Sequence, residues 1–401
     1  MNIVIVGNGL AGTIASKTVR ELDQDVRIDV FAQENAPYYP RPNLIEFLAG
    51  KLAYERVFAF SESWQTRQRI SVHLGRPAKA IFPASHEIEL ADGSRVSYDK
   101  LLLASGASPS IPPFKGTDKK RLYTLRTLND ALEIQDSLKS NPSVIVIGGG
   151  LLGLEIARAL KSRGAEVEVV EFFERLLPRQ LDPAAALLLR AQVEKMGIKI
   201  RLGVATEEIL GDQEVRGVRF KSGEEVEAQM AVVAAGVRPN LEIARDAGLA
   251  VDRGIIVNNF LRTSDADIFA AGDCTQHNGR IYGIIPASFD QARAAAYNMI
   301  GMEKKYEGTT ISNTLKVVGL YVTSVGLVNP EGPGFEEIRK ERPEAGIYKK
   351  IVVQNGVLQG AIWMGTKKFV GEITNAVLQK KNISRWIDSI LEDDFDFSLL
   401  S

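Results

Sequence analysis

The sequence is poor in the side chains that most often do chemistry. One cysteine, Cys274, stands in 401 residues. A single thiol excludes an intrachain disulfide and any C-x-x-C redox pair, and an iron–sulfur cluster needs several thiolates. Only three histidines occur, His73, His86 and His277, and no His/Cys/carboxylate cluster has metal-ligand spacing. Metal catalysis is therefore not expected. The histidines read as solvated or satisfied residues, with His277 in a loop. No apolar run is long enough to span a bilayer, and the first one lacks the basic flank of a signal peptide. Charge excess is missing too: 49 basic and 50 acidic residues give a formal net charge of −1. Bulk charge thus gives no support to nucleic acid or a membrane surface as partner. A cytoplasmic chain is the expectation. The length predicts two or three domains.

What is present is glycine in a pattern, and it occurs twice. Asn2 to Val6 is a short apolar, β-branched run, the signature of a buried strand. Gly7, Gly9 and Gly12 follow as G-x-G-x-x-G, and a helix-compatible segment starts at about Leu10. In this pattern the first glycine permits the turn and the second lets a pyrophosphate approach. The third lets helix and strand pack closely. The helix N-terminus offers N–H groups to phosphates. A second strand, Val26 to Phe31, is followed by Glu34, near the expected place for an acid that bonds ribose hydroxyls; Gln33 competes for that role. Ser143 to Ile147, then Gly148, Gly150 and Gly153, then a helix over Leu154 to Arg163, repeat the unit. The strand Val167 to Val170 ends on Glu171. Two nucleotide sites are implied.

Between and beyond the two copies the chain alternates strands and helices. Pro37 to Leu44 holds three prolines close together and reads as a rigid loop into a helix at about Asn43 to Ala49. There Arg41 is either part of a surface connection or a nucleotide contact. Leu101 to Ala104 ends on Ser105-Gly106-Ala107, and Met230 to Ala234 ends on Ala235-Gly236-Val237. Helices are expected over 129–139, 182–196 and 287–300, and a strand over Ile268 to Ala271 ends on Gly272-Asp273. Asn355-Gly356 between two apolar runs signals a type I′ hairpin. Helices over 370–380 and 383–392 and a frayed acidic tail complete the chain. The fold class expected is α/β, with two Rossmann-like three-layer nucleotide-binding domains plus a small α+β C-terminal domain.

Taken together these motifs resemble the pyridine nucleotide–flavin oxidoreductases of the glutathione-reductase structural type, over essentially the whole chain. Gly7, Gly9, Gly12 and Glu34 resemble the FAD fingerprint. Ala104, Ser105 and Gly106 resemble the second FAD motif, and Gly272 and Asp273 the third, where the Asp bonds the ribityl chain. Gly148, Gly150, Gly153 and Glu171 resemble the NAD fingerprint, with Gly236 at the end of that domain. The resemblance implies an FAD part at 1–112 and 237–308, an NAD part at 113–236 and a C-terminal domain at 309–401. It implies FAD and NADH as cofactors.

Tyr39-Pro-Arg41-Pro-Asn-Leu44, and Ser312 to Gly319 with Val325-Gly326, are similar to NADH:rubredoxin oxidoreductases and the N-terminal part of nitrite reductase large subunits. The resemblance then implies a small rubredoxin-like electron carrier, or oxygen, as acceptor, and no nucleic acid or membrane partner; it leaves oligomeric state open. Disulfide reductases of this type carry paired cysteines near the flavin, and peroxidase relatives a single one after the second strand; neither is present. Cys274 reads as a buried small residue. The flavin that the resemblance implies would explain how a chain so short of His and Cys can still be an enzyme.

Many relatives pair a lysine with the Glu of Gly-Leu-Glu near the flavin. Here Glu155 keeps that Glu, and Glu46 stands at the lysine position. Two close carboxylates tune the flavin, or Glu46 simply faces solvent. Lys367 and Lys368 either greet an acidic carrier or form solvated surface. Glu171 favours NADH over NADPH, because a carboxylate repels a 2′-phosphate. The chain ends before any siroheme or iron–sulfur module, so nitrite reduction by it alone is not expected.

Overall fold

The computed structural model describes residues 1–138, 142–310, 312–317 and 319–400; Lys139, at the end of one expected helix, and Val318 lie outside them. The chain divides into two compact units. The first comprises Met1–Ser110, Arg126–Ala131 and Val237–Thr309, the second Ile111–Leu125, Leu132–Gly236 and Thr310–Ser401.

The first unit is built on a parallel sheet in the order Ile268–Ala270, Lys100–Leu103, Asn2–Val6, Arg27–Phe31, Ser71–His73. Its central strand is buried on both faces: Ile3, Val4 and Ile5 have no exposed surface. That is why it reads as an unbroken apolar run. The helices Leu10–Leu22 and Ile285–Met299 pack on the sheet through small residues, Ala11, Ala15, Ala292 and Ala295 among them, all buried.

The second unit repeats this plan, with Lys199–Arg201, Glu166–Val170, Ser143–Ile147, Met230–Val233 and Leu122–Thr124 in parallel. The helix Leu151–Ser162 takes the place of Leu10–Leu22. The same unit holds the C-terminal antiparallel sheet, ordered Ser312–Val317, Leu320–Gly326, Val357–Met364, Ile347–Gln354, Glu336–Arg342. Asn355 and Gly356 both have positive φ, at 50° and 75°, as a type I′ turn requires.

Two C-terminal expectations are corrected. Residues 383–392 form turns rather than a regular helix, and Ile383, Ile390 and Leu391 among them are buried. The acidic tail is not frayed. Phe395 and Leu400 join the core of the C-terminal sheet, Phe397–Leu400 is a 3-10 turn, and Asp393 meets Lys349 at 2.7 Å and Arg342 at 2.8 Å.

His277 lies on a strand, Thr275–His277, not in a loop, and is fully buried. Its Nε2 is 2.9 Å from Asn259 Oδ1, and its Nδ1 has no partner among the described residues. Burial holds its pKa below the usual 6.5. The unfolded chain therefore binds the proton first as pH falls. This contribution to stability is complete above about pH 6.5 and is lost as pH drops toward the folded pKa. His277→Gln should flatten that part of the curve of melting temperature against pH. An unchanged slope between the variant and the parent would show that other groups control it.

Candidate nucleotide sites

The two glycine motifs fold into the same cradle, bond for bond. Gly7 N–H donates to Phe31 O at 2.8 Å and Gly148 N–H to Val170 O at 2.8 Å. Ala104 N–H donates to Val6 O at 2.8 Å and Ala234 N–H to Ile147 O at 2.8 Å. Gly7 and Gly148 have φ of +112° and +121°, which L side chains rarely adopt. A Cβ on Gly12 would lie 1.9 Å from Gly7 O, and one on Gly153 would lie 1.9 Å from Gly148 O. Helix and strand thus meet at a distance only glycine permits.

The middle glycines differ from these. A Cβ on Gly9 or Gly150 would meet nothing within 4 Å. Each is the N-cap of its helix, and neither helix has a side-chain cap. Open space therefore stands before a set of N–H donors that no side chain has claimed. That arrangement fits the diphosphate of a dinucleotide, once in each unit.

In the first unit the acid after the second strand is held by side chains. Arg41 Nη2 donates to Glu34 Oε1 at 2.9 Å, the Tyr39 hydroxyl donates to Oε2, and Leu128 N–H donates to the Tyr39 oxygen at 2.8 Å. Burial, and the neighbouring Glu34 carboxylate, push the Tyr39 hydroxyl pKa well above its ordinary value. Arg41 also donates to Arg126 O. The proline-rich loop thus locks Glu34 in place. Ser105 and Gly106 close a turn with Asn240: Ser105 Oγ donates to Asn240 O at 3.1 Å, and Asn240 N–H to Gly106 O at 3.0 Å. Gly272 N–H donates to Gln291 Oε1 at 2.9 Å, which fixes the turn before Asp273.

Sequence reasoning missed Arg126. Its Nη2 is 3.1 Å from Asp273 Oδ2 and comes close to Gly106, so it brings a cation to the turns at Gly106 and Asp273. A signal was present in Thr127-x-x-Asp130, a capping box. Asp130 Oδ2 accepts from Arg126 N–H at 2.7 Å and Thr127 N–H at 2.9 Å, and Thr127 Oγ1 accepts from Asp130 N–H at 3.1 Å. The helix start places the arginine.

In the second unit the acid is held by backbone. Glu171 is buried; its Oε2 accepts from Gly149 N–H at 2.5 Å and its Oε1 from Phe173 N–H at 2.9 Å. Phe172 and Phe173 beside it are exposed. Gly236 has φ of +105° and faces open space. Glu155, on the helix Leu151–Ser162, is bound by Arg158, with Nε at 3.0 Å and Nη2 at 2.8 Å from Oε2. The carboxylate expected to face Glu46 thus brings its own countercharge, a residue the sequence reading did not weigh. Glu46 lies on the helix Pro42–Leu48 of the first unit.

The profile of the pyridine nucleotide-disulphide oxidoreductases matches residues 1–297. The chain belongs to this family. Residues 312–381 match the rubredoxin NAD+ reductase C-terminal domain. As a member of the pyridine nucleotide-disulphide oxidoreductases the protein is a flavoprotein oxidoreductase that uses FAD and NAD(H). It is 35% identical to a nitrite reductase of Bacillus subtilis (strain 168) over 385 residues, 95% of this chain and 48% of that protein. It thus spans about half the length of that relative. Over 285 residues it is 35% identical to a rubredoxin-NAD(+) reductase of Ectopseudomonas oleovorans, 71% of this chain and 74% of that protein. The crystal structure of NADH:rubredoxin oxidoreductase from Clostridium acetobutylicum matches with a TM-score of 0.82 at 27% identity, covering 99% of this chain and 98% of that one.

Disulphide chemistry, which the family's name records, has no dithiol in this chain. Cys274 is fully buried, with Sγ 3.5 Å from Leu103 O and from Ala271 O, and burial pushes its pKa up. Such a thiol is a poor nucleophile. Among the described residues no His/Cys/carboxylate group could hold a metal ion, and no helix is long and apolar enough to cross a membrane.

Proposed function

We propose that the protein is an NADH oxidoreductase that delivers electrons through FAD to a small redox protein of the rubredoxin type. The observation that carries this reading is the doubled cradle in a chain whose one thiol is buried. Electrons taken from a nicotinamide have no dithiol here to enter, so they leave to an external acceptor. The match of residues 312–381 to a rubredoxin reductase domain supports that choice of acceptor.

In this reading the first cradle holds FAD. The helix N-terminus at Gly9 and the Arg126 guanidinium meet its phosphates, Glu34 its adenosine ribose and Asp273 its ribityl chain. The second cradle holds NADH, with the helix N-terminus at Gly150 on the diphosphate and Glu171 at the adenosine end. The carboxylate of Glu171 disfavours a 2′-phosphate there. A bound flavin supplies the chemistry itself: it accepts a hydride and gives up electrons singly. The chain's part is to hold both nucleotides and to set the charge around them, and the Glu155–Arg158 pair belongs to that second task.

A second reading is favoured by the 35% identity to a nitrite reductase: the same NADH-oxidising unit serving a separate nitrite-reducing centre. Under anaerobic conditions NADH should bleach the yellow protein, and rubredoxin should restore the colour within a turnover. Steady-state NADH oxidation should be faster with rubredoxin than with oxygen alone by at least about tenfold, as expected where electrostatic complementarity steers docking. Equal rates with and without rubredoxin would reject it as acceptor.

A further inference from the structure

The loop 172–182 is anchored in a way that nucleotide binding by the glycine motif alone does not require. It leaves the strand Glu166–Val170 beyond Glu171 and ends at Asp182, the N-cap of the helix Pro183–Lys195. At one end it closes on the second cradle. Leu177 N–H donates to Gly149 O at 3.3 Å, and Leu177 adopts φ of 49° there. Leu176 and Leu177 are fully buried, and a Cβ on Gly149 would meet Leu176 Cδ2 at 2.7 Å.

At its other end the loop is held by the C-terminal sheet and by the bend that follows its strand Leu320–Gly326. Asn329 Nδ2 donates to Pro178 O at 3.4 Å and to Leu181 O at 3.2 Å. The Tyr348 hydroxyl donates to Asp182 Oδ2, and Lys350 Nζ lies 3.1 Å from the same oxygen. Lys350 also lies 2.6 Å from Glu337 Oε2 and donates to Val328 O at 3.0 Å. Tyr348 and Lys350 are buried. Burial raises the Asp182 pKa, but the Tyr348 hydroxyl, the Ala185 N–H and Lys350 together outweigh it, so the carboxyl stays below its usual range.

A buried lysine is expensive unless its partners are well placed. Its partner in the loop is Asp182, the cap of a helix, while Asn329 holds the two loop carbonyls of Pro178 and Leu181; these are the positions whose displacement would carry Leu177 away from Gly149. Lys349, the next residue, does something else. It projects to the other face of the strand Ile347–Gln354, where Nζ donates to Leu391 O at 2.9 Å and Asp393 Oδ1 at 2.7 Å and lies 4.7 Å over the Trp363 ring. It secures the C-terminal segment.

We propose that Asn329, Tyr348 and Lys350 are positioning residues for the nicotinamide nucleotide: through the loop 172–182 the C-terminal sheet sets the shape of the cradle at Gly148–Gly150. This rests on reading that cradle and Glu171 as the NADH site. The C-terminal domain thereby acts on nucleotide affinity without touching the nucleotide.

The two adjacent lysines supply the test. Lys350→Met and Lys349→Met each remove one buried cation, and both should lower the melting temperature of the FAD-loaded protein. Only Lys350→Met should weaken binding of ADP-ribose, measured by calorimetry, by about fivefold, in the range of couplings carried by packed networks. With ferricyanide as acceptor its KM for NADH should rise in parallel while kcat stays within about twofold. Asn329→Ala, which removes two hydrogen bonds and no charge, should weaken ADP-ribose about twofold. Equal weakening in Lys349→Met and Lys350→Met would mean general loosening and would overturn the inference. So would an unchanged ADP-ribose affinity in Lys350→Met or, should that variant not fold, in Asn329→Ala. Glu171→Gln separates the two levels. If it leaves ADP-ribose binding unchanged, the cradle itself is misassigned; if it weakens binding while Lys350→Met does not, only the role of the C-terminal sheet falls.

Discussion

Gly12→Val should purify as a colourless protein. The first atom of the new side chain would lie 1.9 Å from the Gly7 carbonyl oxygen, which is backbone and cannot rotate away. The helix Leu10–Leu22 must then retreat from the strand Asn2–Val6, taking its N-terminal N–H groups with it. Each charge-assisted hydrogen bond lost is worth about 1.5–3 kcal/mol, so two lost bonds reduce FAD affinity by roughly a hundredfold or more. Flavin absorbance per protein chain reads the outcome, and a fully yellow Gly12→Val would refute the assignment of FAD to this cradle. Gly9→Ala sharpens the comparison. Its methyl meets no protein atom, so folding should be unaffected, while the space before the helix N-terminus is reduced. Loss of flavin from a variant with unchanged circular dichroism isolates ligand binding from packing.

Gly153→Val should stay yellow and stop responding to NADH. Its clash, 1.9 Å from Gly148 O, is the copy of the first one, but it falls in the other unit. The helix Leu151–Ser162 would be displaced, and KM for NADH should rise by roughly a hundredfold, as the same hydrogen-bond arithmetic requires. Dithionite should still bleach the flavin in this variant, which separates a lost nucleotide site from a lost flavin. Normal bleaching by stoichiometric NADH would show that the second cradle is not where NADH binds.

The two cradles were legible because glycine spacing is a local signal with a single physical cause. A side chain at Gly12 or Gly153 collides with backbone, and no distant residue relieves that. The acids Glu34 and Glu171 were legible as positions, but what holds them was not. Tyr39 and Arg41 grip one, and the N–H groups of Gly149 and Phe173 grip the other. The first arrangement was half visible in the proline-rich loop. The second uses only main chain, which leaves no mark on residue identity.

Long-range partners account for most of what was missed. Lys350 reaches Asp182 and Lys349 reaches Asp393, in each case from a distant part of the chain, and without the second of these pairings the acidic tail reads as frayed. The segment 383–392 shows a different failure. A helix is the expectation there, and Ile383, Ile390 and Leu391 are indeed inside. Yet a segment of that length has little helical stability of its own, and packing against the sheet prevailed. Arg126 fell between the two kinds: its capping box was local, but its pairing with Asp273 was not.

The helices that begin at Gly9 and Gly150 have a consequence for how long the protein lasts. A side-chain N-cap contributes about 1 kcal/mol to a helix, and neither of these has one. On the proposed assignment the dinucleotides complete these helix ends, which makes them folding ligands as well as reactants. A ligand at a hundred times its dissociation constant adds about 2.7 kcal/mol to the stability of the state it binds. On that assignment, chains made when flavin is scarce would open sooner and meet proteases sooner, so the supply of cofactor would act on the abundance of the protein as well as on its activity.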